Sequence, residues 1–352
     1  MNTPATPRPD LREVGPYDAP QLEVEARLNT NECPLPLPDA FADDLAAAVR
    51  DVPLNRYPDG RMRSLRDALS QHTGHPAEGI WPANGSNEVL TQLLQAYGGP
   101  DRRAALFEPT YLLHRRLCWL TRTAIEERRL EPPFVLGDDD VRWVTDAGAD
   151  VVFVCTPNNP TGTAQPPDAI HAIAEAANGL VIVDEAYVGF GGASALPLVV
   201  DHPNVAVVRT FSKSFALAGA RIGYVLTSPD VISDLERVRL PYHLSALTQV
   251  AGVVALRHQA EAAGAVEAIR AERDRILEAL PTFEGVRVHP SEANFVLFEP
   301  PGDASAVWRG LLDRGVLVRD LTTVVPNALR VTAGTPHEVD LFLKALEEVL
   351  AG

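Results

Sequence analysis

Short runs of Val, Ile, Leu, Ala and Phe recur along the first two thirds of the chain, separated by segments whose apolar residues return every three or four positions. Ala104–Phe107 (AALF), Val151–Cys155 (VVFVC), Leu180–Val183 (LVIV) and Val205–Val208 (VAVV) are apolar throughout. Such runs predict strands buried on both faces, as in a parallel sheet covered by helices. Between them, the patterns over Asp39–Asp51, Ser64–His72, the run VLTQLLQAYG after Ala83–Glu88, and residues 166–178 predict amphipathic helices. Asp39 is placed to cap the first of these. The alternation of strand and helix gives an α/β fold class.

After Leu240 the pattern changes. Helical periodicity rich in Ala, Glu and Arg runs from about Ser245 to Leu280. Short strand-like pieces follow in VRVHPSEANFVLF, GVLVRD and ALRVTAG, with a helix near 304–314 and a last one from Pro336. This predicts a second, smaller α+β unit. The expected division is 1–45 as an N-terminal arm and part of the small domain, 46–243 as the large domain, and 244–352 as the small C-terminal domain. Proline interrupts LREVGPYDAPQLEVEARLNTNECPLPLP repeatedly, so this stretch reads as an extended arm lying on something else, and a second subunit is the expected surface.

Composition narrows the function classes. Apolar residues at 46% against 22% charged are typical of a globular protein. The 47 acidic residues outnumber the 31 basic ones, giving a net charge of −16, which argues against nucleic acid or an anionic membrane as partner of the whole chain. No apolar run is long enough to span a bilayer, and MNTPATPRPD has no signal-peptide core. The cysteines, Cys33, Cys118 and Cys155, are odd in number and dispersed. They point to a reducing compartment, so the cytoplasm is the expected location. No metal-ligand spacing appears among them or among the nine histidines, and no metal site is expected.

Candidate chemistry collects at strand ends, where ligands bind in such sheets. By this placement Tyr111, Asn159, Asp184, Tyr187 and Lys213 converge. Lys213 stands between Ser212 and Ser214, just beyond a buried strand. A lysine beside serines is, by itself, more often a solvated surface residue. Desolvated, however, its amine loses its proton readily and can attack a carbonyl to form a Schiff base. Thr210, Ser212 and Arg221 suit a phosphate. Ser86 and Asn87 open a helix, which is either an anion site or ordinary capping. A lysine, a carboxylate for a ring nitrogen and a phosphate grip are the parts needed for pyridoxal 5′-phosphate. His114 and Arg115 follow Tyr111 and read as helix-surface residues.

The order ANGSNE, TPNNPTG, VDEAY, TFSKSFALAGARIGY, LRVTAGT resembles that of the fold-type I aminotransferases, and within them the histidinol-phosphate aminotransferase family, actinobacterial members especially. The likeness covers nearly the whole chain. It implies pyridoxal 5′-phosphate as cofactor, with Lys213 bonded to it and later shuttling a proton. It also implies that Asp184 partners the ring nitrogen, Tyr187 and Asn159 bind the ring oxygen, and Tyr111 stacks on the ring. Ser86, Asn87, Thr210, Ser212 and Arg221 would hold the cofactor phosphate. Tyr57 would reach that phosphate from a neighbouring subunit, so a homodimer is implied. Arg330, Arg319, Tyr17 and Asn31 would face the substrate. The implied reaction passes an amino group between histidinol phosphate and 2-oxoglutarate. The family pattern departs at Asn31-Glu32-Cys33, where NEN is usual. An aromatic or specialised amino-acid aminotransferase, or a decarboxylase of a phosphorylated amino acid, are the alternatives.

Overall fold

The computed structural model describes Ala5, Thr6, Gly15 and residues 20–352; Tyr17 lies outside them. In chain order, β1 (Ala26–Arg27) precedes α1 (Asp39–Arg50), α2 (Arg63–Thr73), β2 (Ile80–Asn84), α3 (Ser86–Tyr97), β3 (Arg103–Glu108), α4 (Leu112–Thr121), β4 (Ala124–Arg129) and α5 (Asp138–Ala147). Next come β5 (Val151–Cys155), α6 (Pro167–Ala176), β6 (Leu180–Asp184), α7 (Leu198–Asp201), β7 (Val205–Thr210), β8 (Ile222–Leu226) and α8 (Pro229–Val238). The C-terminal third holds α9 (Ala246–Arg257), α10 (Gln259–Ala279), β9 (Arg287–Val288), β10 (Phe295–Glu299), α11 (Ala304–Asp313), β11 (Val316–Leu317), β12 (Arg319–Asp320), β13 (Leu329–Thr332) and α12 (Pro336–Ala351).

Seven strands form the main sheet in the order β2-β8-β7-β6-β5-β3-β4. Strands β4, β3, β5, β6 and β7 run parallel, and β8 is antiparallel to both its neighbours. Every residue of β5, β6 and β8 is buried, as expected of a sheet covered on both faces. Full burial of each Val or Ile there is worth about 1.5–3 kcal/mol. A four-stranded sheet, β12-β13-β10-β9, is antiparallel. Its own apolar cluster is built on Phe295, Phe298 and Phe342. Helix α9 gives Val254 and Ala255 to the larger core, whereas α10 gives Val266 and Ile269 to the smaller.

Two expectations are corrected. From residue 20 onward the arm packs on its own chain: β1 pairs in parallel with β11, and Ala26, Leu28, Asn29 and Asn31 are buried there. The C-terminal unit supplies the apolar surface that a second subunit was expected to provide. Asp39 does not cap α1; Pro38 holds that position with no side-chain bond, and Asp39 sits in the first turn. The acid still favours the positive end of the helix dipole from there.

Candidate active site

The cavity opens where the carboxyl ends of β5, β6 and β7 meet the arm and the C-terminal sheet. It encloses about 360 Å³. Lys213 comes from the loop after β7, and its Nζ donates to the carbonyl of Thr30 at 3.0 Å. Burial, helped by the nearby Arg330 charge, lowers the pKa of this lysine to about 7. An amine there is largely neutral just above neutrality.

The two carboxylates of the VDEAY stretch part company because successive side chains of a strand face opposite ways. Glu185 points into the structure, taken up by Arg209 Nε at 2.9 Å, Ser194 Oγ at 3.0 Å and the Ala195 amide. Asp184 turns to the cavity, 2% exposed. Its Oδ1 accepts the Ala186 amide at 3.1 Å, and its Oδ2 meets His114 Nε2 at 3.1 Å. Only Asp184 of the pair is placed for ligand chemistry.

His114 corrects the surface assignment. It is fully buried, stacked on Phe153 with ring centroids 4.5 Å apart, with Tyr111 edge-on at 5.6 Å. Its Nδ1 lies 3.4 Å from Thr110 Oγ1. With Nε2 protonated, the imidazole donates to Asp184 and accepts from Thr110, which fixes the carboxylate in direction. The spacing of three from Tyr111, one face of α4, was the signal available in the sequence. Arg115 does lie at the surface, paired with Glu108 and Glu127.

Tyr187 is buried, and its hydroxyl accepts from Asn31 Nδ2 at 2.9 Å and Asn159 Nδ2 at 3.4 Å. Burial pushes its pKa up to about 12, so the phenol keeps its proton. Arg330 sits over the Phe295 ring at 5.0 Å. It donates to Asn159 Oδ1 and to the Asn29 carbonyl at 3.0 Å. Arg319 is its cross-strand partner in the β12–β13 ladder; both line the cavity. The oxygens of Asp320 accept from Ser305 and Thr322, while the Arg319 charge helps hold its pKa low.

An anion cradle closes the far side. Helix α3 starts at Ser86, capped by Gly85 with no side-chain bond, so neither Ser86 nor Asn87 is the cap. The first intrahelical bonds run from Glu88 and Val89 to Gly85, which leaves the Ser86 and Asn87 amides facing out, at the positive end of the helix. Gly85 has φ +78°, and a Cβ there would stand 2.5 Å from Arg221 Nη2. On β8, a Cβ at Gly223 would stand 2.1 Å from the Ser86 amide. Both glycines are needed for this close approach. Thr210 Oγ1 and Ser212 Oγ are 3.0 Å apart, and Arg221 Nη1 reaches Ser212 Oγ at 3.3 Å.

Tyr111 lines the cavity, its hydroxyl 3.4 Å from Asn87 Oδ1. Tyr57 does not. It is 79% exposed and stacked on Tyr242 with centroids 4.5 Å apart. The cavity thus gathers Ser86, Asn87, Tyr111, Asn159, Asp184, Tyr187, Thr210, Ser212, Lys213, Arg221, Asn31, Arg319 and Arg330. Sequence reasoning did not find Asn29, Thr30, Cys155 or Leu321, which also line it. Thr30 acts through its backbone carbonyl, which leaves no mark on side-chain patterning.

The chain matches the family described as Aminotransferase class I and II over residues 25–346. It belongs to that family. Histidinol-phosphate aminotransferase of Frankia casuarinae is 48% identical over 364 aligned residues, covering 98% of this aminotransferase and 90% of the relative. The Thermobifida fusca protein of the same name is 48% identical, with 96% and 94% covered. Among solved structures, histidinol-phosphate aminotransferase of Sinorhizobium meliloti in complex with pyridoxal 5′-phosphate superposes with a TM-score of 0.82. It is 25% identical, covering 94% of this chain and 92% of that one. The fold-type I architecture expected from the sequence is therefore present in this aminotransferase.

Proposed function

We propose that this aminotransferase passes the amino group of histidinol phosphate to 2-oxoglutarate, with pyridoxal 5′-phosphate as cofactor. The observation that carries the reading is the pair Arg319 and Arg330, adjacent across one ladder in a cavity that also holds a desolvated lysine and a buried aspartate. Paired guanidinium groups suit a phosphate in one half-reaction and the two carboxylates of glutamate in the other. The cofactor fits the side chains present: the cradle of Gly85, Ser86, Asn87, Thr210, Ser212 and Arg221 accepts its phosphate, and the neutral amine of Lys213 accepts its aldehyde.

Bound there, pyridoxal phosphate supplies a carbonyl for the amino group and a ring that withdraws the electrons left when the donor's Cα–H bond breaks. In this proposal Lys213 Nζ would take the proton from the donor's Cα and return it to the carbon that was the cofactor's aldehyde, on the other side of the transferred nitrogen. Asp184, held by His114, keeps a proton on the ring nitrogen. Tyr187, positioned by Asn31 and Asn159, donates to the ring oxygen, and Tyr111 covers the ring face. Arg330 forks onto the α-carboxylate of glutamate, and Tyr17 joins Arg319 at the substrate phosphate. The three-part division of the chain belongs to this proposal, although α9 packs on the core of the large unit and only α10 on that of the small one.

The enzyme acts, on this reading, as a cytoplasmic homodimer with shared sites. Among the described residues no helix is long and apolar enough to cross a membrane. Leu54, Tyr57, Leu240 and Tyr242 are exposed apolar side chains. The Tyr57–Tyr242 stack places two of them together, which suits contact with a second copy. Tyr57 would then reach the neighbour's cofactor phosphate. Sedimentation of the purified chain is expected to give twice 38.0 kDa; a monomer with full activity would refute shared sites.

Purified enzyme with pyridoxal phosphate, 2-oxoglutarate and histidinol phosphate is expected to form glutamate, and much faster than with phenylalanine or tyrosine. Preference for an aromatic donor, or release of CO₂, would overturn the substrate assignment. Arg319→Ala should lower kcat/KM for histidinol phosphate about 10²-fold, the loss of a charge-assisted contact of about 2–3 kcal/mol. An equal loss with an uncharged-side-chain amine would refute a phosphate role.

A further inference from the structure

The charge inside the cavity is unbalanced in a way that the roles above leave unused. Lys213, Arg221, Arg319 and Arg330 all face it, against two carboxylates, Asp184 and Glu32. Asp184 is committed at the sheet end. Glu32 stands on the arm, where the cavity meets a second groove formed by the arm, residues 216–219 and 332–334. Its Oε2 accepts from Thr30 Oγ1 at 2.9 Å and pairs with Arg27 Nη2 at 3.3 Å. Its Oε1 accepts nothing among the described residues. The carboxylate remains partly open, with 43% of the side chain accessible, and it is close enough to Lys213 for its charge to be felt there.

This inference rests on the proposed substrate. Histidinol phosphate carries two arms on its reacting carbon: a phosphate ester and an imidazole. In the other half-reaction glutamate places two carboxylates, which the arginines can take. The imidazole has no counterpart in glutamate and needs a hydrogen-bond acceptor that no arginine provides. We infer that Glu32 is the specificity residue for this arm, its free carboxylate oxygen accepting the imidazole N–H. The same charge disfavours an anionic side chain at that position, so glutamate is steered to the arginines. Glu32 thus lets one cavity serve two unlike donors.

The test is single-turnover kinetics of the holoenzyme with histidinol phosphate, with glutamate, and with serinol phosphate, a phosphorylated amine lacking the ring. Glu32→Gln keeps size and an acceptor but removes the charge. The ratio of kcat/KM for histidinol phosphate to that for glutamate should fall about 5- to 10-fold, and further in Glu32→Ala. The ratio of serinol phosphate to glutamate should move by less than about twofold. Arg27→Ala opens the same ion pair from the other side and should leave both ratios in place. Equal losses with all three donors would show that Glu32 acts through Lys213 or the arm and would overturn the inference, as would no loss at all. Failure of the unaltered enzyme to react with histidinol phosphate, while reacting with another amine, would instead remove the substrate assignment on which the inference stands.

Discussion

Replacing Lys213 with alanine is expected to lower kcat about 10⁴-fold, the upper end of what a positioned acid–base group contributes. The variant should still fold, because it loses a desolvated amine whose one hydrogen bond is to the Thr30 carbonyl. A second readout is independent of turnover. The chain contains only two lysines, Lys213 and Lys344, and Lys344 is exposed on α12. Hydride trapping with added pyridoxal phosphate, followed by peptide mass analysis, should label Lys213 almost alone. Capture by cofactor-free protein should speed up as pH rises through about 7, where this amine loses its proton, and then level off. Linkage has the same sign. The folded-state pKa is about 7 against an ordinary 10.5, so between those values the unfolded chain binds the extra proton. Cofactor-free protein should therefore gain stability with rising pH across that window, and the gain should shrink in the alanine variant. Label on Lys344 with full activity in the variant would show that the wrong amine had been chosen.

Asp184→Asn is the second large effect expected. The substitution keeps shape but removes the one negative charge facing the cavity from the sheet end. Breaking a buried charge pair costs about 3–5 kcal/mol, which corresponds to a drop of roughly 10²- to 10⁴-fold in kcat. The loss should appear with histidinol phosphate and glutamate alike, since the ring nitrogen serves both halves. Binding of the cofactor phosphate should persist, because its cradle lies on other elements. A near-normal kcat would refute the electron-withdrawing role assigned to this site.

The parallel core was legible because β5, β6 and β7 are apolar at almost every position, a pattern that a half-exposed strand does not produce. The three strands of the main sheet that escaped notice, β2, β4 and β8, escaped for separate reasons. Strand β2 contains Pro82, tolerable because β2 is an edge strand bonded only to β8. Strand β4 is the other edge and reads AIEERR, charged as edges are and so lacking an apolar run. Strand β8 follows the phosphate-cradle loop directly, so its apolar residues read as the tail of that loop.

Many cavity side chains were legible for a similar reason: Tyr111, Asn159, Tyr187, Ser212 and Lys213 stand a few residues past a strand, and Ser86 and Asn87 open a helix. His114 was missed because its spacing from Tyr111, the one signal present, places it on the tyrosine's side of α4 without showing that this side is buried. The meeting of Arg319 and Arg330 depends on β12–β13 register, which short strands do not fix in sequence. The arm was misplaced because an extended segment discloses that it needs an apolar surface, not which one.

Three successive residues of that arm each touch a different functional group. The Asn29 carbonyl accepts from Arg330, the Thr30 carbonyl from Lys213, and the Asn31 side chain donates to the Tyr187 hydroxyl. The segment is tied to the small unit by the β1–β11 ladder, by the Thr332 amide on the Leu28 carbonyl, and by Asn31, which bonds with Thr332 and accepts from Asn294. A carboxylate taken by Arg330 would compete with the Asn29 carbonyl, one residue from the acceptor that holds Lys213. The anion grip and the reactive amine thus share one stretch of backbone as their common brace.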